Sequence, residues 1–183
     1  MFGYRRLVVL IILAALAALS VAAPTSVAAA SRGTRSIAAA GAAAGMFSCT
    51  DKSGGAVTGP PSPVRAVLVR SNHRFDRFVI KLAGPLQQWD VRSQSSATFE
   101  QDPSGLPVTL LGTAGLRVVV MGAQAHGFGF QVPTDIKPGF PVLLEARQIG
   151  DFEGVVSWGL GLSHPACFRV LATGRMLIVD VVH

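Results

Sequence analysis

Several residue types are scarce in this sequence. It has two cysteines, two tryptophans and one tyrosine among 183 residues, and only 14% of the chain is charged. Basic residues include no Lys/Arg run, so nothing points to a nucleic-acid interface. No His/Cys spacing suits a metal, zinc included. No cofactor fingerprint is present either: Gly159-Leu160-Gly161 lacks the third glycine and the following helix of a dinucleotide site. Ser163-His164 lies outside any Gly-x-Ser-x-Gly elbow, so a nucleophilic serine is not implied. A persuasive helical period is missing beyond the N-terminus.

What is present begins with an apolar run. Arg5 and Arg6 precede Leu7 to Ala23, which is apolar apart from Ser20. Small residues follow, with an A-x-A-like cleavage site at Ala28-Ala29-Ala30. Residues 1–30 are therefore expected to be a signal peptide for export, with a retained anchor as the alternative. No membrane span is expected after its removal. The formal net charge of +6 includes Arg5 and Arg6; without them 14 basic residues face 10 acidic ones, 14 − 10 = +4. Thirteen of the sixteen basic residues are arginine, which suits forked contacts with carboxylates or phosphates.

Residues 31–63 hold much Ala, Gly, Ser and Pro and are expected to form a flexible tether. In an exported chain the pair Cys49 and Cys167 reads as a disulfide.

From Val64 onward the apolar period is two. Phe78, Ile80 and Leu82 alternate with Arg77, Val79 and Lys81, and Asn72-His73-Arg74-Phe75 turns the chain between the first two strands. Further strands are expected over 88–92, 116–121, 142–149, 155–160, 168–171 and 176–182. Residues 64–183 thus form an all-β domain, an antiparallel β-sandwich or flattened barrel of about eight strands. The loop over 122–141 is long for a structureless connection.

The segments VRAVLVRSNHRFDRFVI (64–80), GDFEGVVSWGLGL (150–162), CFRVL (167–171) and RMLIVDVVH (175–183) resemble the AMIN-like domain of secreted actinobacterial proteins. The matching features are His73, Phe75, Asp76 and Arg77, then Asp151, Phe152, Glu153 and Gly154, then Trp158, and Arg175 to Asp180. The resemblance implies a β-sandwich related to AMIN modules, which direct their carriers to the cell wall. This sequence departs from the pattern in its cysteine pair and in Gln87-Gln88-Trp89.

Candidate ligand-binding residues are Arg70, His73, Arg74, Asp76 and Arg77 around the first turn, and Trp89 as a stacking surface. Against that, Asp76 can simply cap the turn and pair with an arginine. Asp151 and Glu153 are raw material for acid/base chemistry, but two carboxylates in one turn are more simply a charged turn. Trp158 is expected in the core with its indole N–H on a carbonyl, the rival being a sugar platform opened by Gly159 and Gly161. Asp180 needs an arginine or backbone partner, with Arg175 or Arg70 available. The reading is a non-catalytic envelope-binding module without cofactor. Its partner is a cell-wall polymer, peptidoglycan first. The alternative is an edge-strand contact with an envelope protein, and a carboxylate-dependent glycan hydrolase comes third.

Overall fold

The computed structural model describes residues 46–183. The expected signal peptide and residues 31–45 of the expected tether lie outside them. Thirteen strands occur in chain order: β1 (Lys52–Gly54), β2 (Ser62–Ser71), β3 (Phe75–Leu82), β4 (Gln88–Gln94), β5 (Thr98–Gln101), β6 (Leu106–Thr109), β7 (Ala114–Met121), β8 (Ala123–Gln124), β9 (Asp135–Ile136), β10 (Leu143–Phe152), β11 (Val155–Leu162), β12 (Phe168–Thr173) and β13 (Met176–Val182). All eight expected strands are there, within a few residues. The additional five are short. No helix is present among the described residues.

The strands form a six-stranded sheet in the order β1-β4-β7-β11-β10-β9, a five-stranded sheet in the order β12-β13-β3-β2-β8, and the separate β5–β6 hairpin. The main core lies between the two large sheets. Phe78, Ile80, Val67 and Val179 come from one, and Val91, Val118, Trp158 and Leu160 from the other. Phe78 meets Trp158 with ring centroids 5.4 Å apart. Alternation explains this directly, because residues two apart share one face of a strand.

Within the stretch 31–63 expected as tether, residues from Ser48 onward pair with the rest of the domain. β1 pairs with β4, and Ser48 exchanges two backbone hydrogen bonds with Phe168. A disulfide joins Cys49 to Cys167 beside that bridge. Gln87 holds the next stretch: its Oε1 accepts from the amides of Thr58 and Gly59, and its Nε2 donates to the carbonyls of Pro60 and Gly122. A buried amide with all four contacts filled can order a loop that has no strand of its own.

Gly159 and Gly161 do not open a ligand platform. A methyl group on Gly159 would fall 2.9 Å from the ring of Phe99, and one on Gly161 would fall 2.1 Å from the carbonyl oxygen of Leu111. Phe99, Ala97, Leu110 and Ile149 form a second small core there, under the β5–β6 hairpin. The glycines are the seat of that hairpin. A Gly161→Ala variant is expected to lose about 1–3 kcal/mol in urea unfolding, because backbone must move to admit one methyl. An unchanged midpoint would show that the 110–111 segment is not seated on β11.

Candidate functional site

The outer face of the five-stranded sheet carries the most concentrated chemistry. Register places Arg70 of β2 opposite Arg77 of β3, Arg77 opposite Asp180 of β13, and Asp180 opposite Arg169 of β12. These four residues make one row across four strands, on the face turned away from Phe78 and Val179. Asp180 is fully buried. Its Oδ1 accepts from Arg77 Nε at 2.6 Å, its Oδ2 accepts from Arg77 Nη2 at 2.9 Å, and Arg169 Nε donates to Oδ2 at 2.8 Å. The partners expected for Asp180 were Arg175 or Arg70; they are instead Arg77 and Arg169. The hydrogen bonds from Arg77 to Asp180 hold its guanidinium above its ordinary pKa, against burial, with charge attraction adding to them.

Aromatic rings flank this clamp. Arg77 lies 5.2 Å from the Phe75 ring centroid, and Arg169 lies 4.7 Å from that of Phe47 and 4.9 Å from that of Phe75. Phe47, Arg74, Phe75, Arg169 and Val182 line a concavity of ≈ 420 Å³. Arg70, Arg74, Arg77 and Arg169 are answered on this face by Asp180, so the local excess is 4 − 1 = +3. The arrangement offers planar cations with an apolar floor, suited to carboxylates and to the faces of sugar rings.

Of the residues expected to bind, Arg70, Arg74 and Arg77 meet on or beside this surface. His73 is exposed in the turn, where Asn72 Oδ1 accepts from the amides of Arg74 and Phe75. Asp76 faces the other way and is fully buried. Its Oδ2 accepts from the amides of Val142 and Leu143, at 2.8 and 2.9 Å, and its Oδ1 lies 3.0 Å from His183 Nε2. It ties one sheet to the approach of β10 in the other. Burial alone would raise its pKa, but hydrogen bonds from Ser71, Leu143, His183 and Val142 together hold it below the ordinary value.

The folded-state pKa of Asp76 is thus below its unfolded value. Its contribution to stability is present above the unfolded value, near 4, and is lost as pH falls through the folded value. In unfolding measured against pH, Asp76→Asn is expected to be destabilised relative to wild type above about pH 5, with the gap narrowing in more acid solution. A constant gap across that range would contradict the assignment.

Trp89 is not brought to the hairpin turn. It sits on β4 in the other sheet, half-buried against the main core, and Gly54 of β1 lies against its ring. β3 separates the two places, since it runs from Phe75 to Leu82, about 23 Å at the usual rise per residue.

Trp158 is in the core, but its Nε1 has no hydrogen-bond partner, contrary to expectation. Asp151 Oδ1 accepts from the amide of Ala125, and its Oδ2 lies 2.6 Å from His126 Nδ1. Glu153 and Gly154 form the two-residue turn between β10 and β11, both with positive φ (48° and 77°). Phe152 is exposed beside that turn. The Asp151 carboxylate therefore holds the 125–126 segment, while Glu153 takes its place in the turn through its backbone.

Phe47 and Arg169 were not foreseen as parts of the site. Phe47 sits two residues before Cys49, and Arg169 two after Cys167, so the cysteine pair was the one signal that could have placed them together.

The fold and this surface define an all-β module with a cation-rich, aromatic-flanked face. The AMIN-like domain family matches residues 62–183, and the chain belongs to that family. The membership suggests a non-catalytic module associated with the cell wall. No curated protein and no solved structure matches.

Proposed function

We propose that the chain is an exported, non-catalytic module that associates with peptidoglycan or a similar cell-wall polymer through the outer face of its five-stranded sheet. The observation that carries this reading is the concavity between Phe47, Arg74, Phe75 and Arg169 beside the buried Asp180 clamp. The clamp fixes two guanidinium planes before a ligand arrives, which reduces the ordering cost of binding. The rings give an acyl or sugar face something flat to rest on. Family membership supports association with the wall, and the disulfide is consistent with an oxidising compartment outside the cytoplasm.

Co-sedimentation of the secreted chain with purified cell wall tests the reading. The chain is expected in the pellet, with binding that weakens as salt rises because arginines contribute. A chain that stays in the supernatant at every salt concentration would sink it. Incubation with wall is also expected to release no soluble fragments, in keeping with Asp151 and Glu153 having structural roles. Release that disappears in an Asp151→Asn, Glu153→Gln variant would revive the hydrolase reading.

A further inference from the structure

We infer that the open edge of β2 takes up an extended, acidic protein segment as an added strand. This goes beyond the wall-binding reading and uses the β2 edge of the same sheet, at the far side from β12 and the concavity of Phe47 and Arg169. β2 pairs with β3 from Val64 to Ser71, but on its other side β8 reaches only Ser62 and Pro63. After the bulge between Val64 and Ala66, the stretch Ala66–Ser71 has no strand beside it among the described residues. Such an edge presents unpaired amides and carbonyls at the spacing an incoming strand needs.

The other edges are shorter or partly covered. β12 meets the Ser48 bridge and the disulfide. The edges of the six-stranded sheet, β9 and β1, are only two and three residues long; past their ends the amide of Gln148 on β10 donates to Thr134, and that of Ser93 on β4 donates to Asp51. β2 carries a bulge and two arginines, but after Pro63 it has neither lysine nor proline to block an incoming strand.

Charge and apolar surface say what would fit. β2 contains Arg65 and Arg70 and no carboxylate. Nearby Asp76 is buried and Asp180 is already held by two arginines. Beside the strand, Phe130 lies 5.9 Å from the Arg65 guanidinium. Phe128 and Phe130 are 46% and 40% exposed, and Leu68 is 38% exposed. Gly127 and Gly129, with φ of 84° and 72°, let this loop turn both rings outward. Leu68 and Arg70 share one face of β2, so a partner strand alternating acidic and apolar side chains would set its acidic groups beside Arg70 and its apolar groups on the opposite face, alongside Val67 and Val69.

The test is fluorescence anisotropy of the full secreted chain with a labelled eight-residue peptide alternating Glu and Val. Saturable binding is expected, weakened at least about tenfold when alternate amides of the peptide are N-methylated, since backbone pairing carries the affinity. An Arg65→Glu, Leu68→Glu variant is expected to lose the acidic peptide and to bind the Lys/Val counterpart instead, an inversion that misfolding would not produce. A Phe128→Ser variant, altered only at an exposed tip, is expected to bind several-fold more weakly. Equal binding of the N-methylated peptide, or no saturation at millimolar concentration, would overturn the inference. Wall sedimentation of the Arg65→Glu, Leu68→Glu variant is expected to persist, so failure of either reading is distinguishable from failure of the other.

Discussion

An Asp180→Ala variant is expected to lose about 3–5 kcal/mol of folding stability, the usual cost of removing one partner from a buried charge cluster. Asp180 has no exposed side-chain surface, while Arg77 and Arg169 keep 31% and 22% of theirs. Without the carboxylate, two cations flank an empty place on β13 from the strands on either side, with only partial access to water. A domain of this size has about 5–15 kcal/mol in total, so the loss would show as a large fall in the urea midpoint. Asp180→Asn keeps the shape and one acceptor and is expected to fall between wild type and the alanine variant. A change below about 1 kcal/mol for the alanine variant would mean that the cluster behaves as an exposed pair. The same variants also bear on function, because the Asp180 clamp aims both guanidinium groups.

Loss of the disulfide is expected to have an effect of similar size. The bond joins positions 118 apart, and closing a loop of that length stabilises by about 4–5 kcal/mol on the chain-entropy view. A Cys49→Ser, Cys167→Ser variant, or wild type under reductant, is expected to unfold at markedly lower temperature. Thiol labelling of the chain without reductant is expected to find no reactive thiol. Two reactive thiols, or a melting temperature unmoved by reductant, would contradict this. The segment at risk carries part of the proposed binding surface, since Phe47 and the Ser48 bridge hang from that bond.

The strands that were legible in the sequence are those with a long period of two. β3 shows it in Phe78, Ile80 and Leu82, and β13 in Leu177, Val179 and Val181. β1, β8 and β9 have two or three residues, too few to show any period, and they exist only because neighbours supply their pairing. β5 and β6 escaped for another reason: apart from Phe99 and Val108 their side chains are mostly exposed, and Phe99 finds its place on glycines of distant strands.

Half of the candidate site was legible as well. The first turn announced Arg70, Arg74 and Arg77, but which carboxylate they meet depends on strand register, and register sets Asp180 beside Arg77 across more than one hundred residues. Asp76 looked equivalent to Arg77 in the sequence, yet adjacent positions on a strand point to opposite faces. One became a tie between the sheets and the other a part of the surface.

The most direct measurement is an NMR titration of the chain with soluble peptidoglycan fragments, following backbone and arginine side-chain resonances. The account predicts saturable shifts gathered at Phe47, Arg74, Phe75, Arg77 and Arg169, absent in an Arg74→Ala, Phe47→Ala variant that keeps the wild-type spectrum elsewhere. Shifts centred on Trp89 and Gly54 or on the β5–β6 hairpin, or no shifts at saturating fragment, would contradict it.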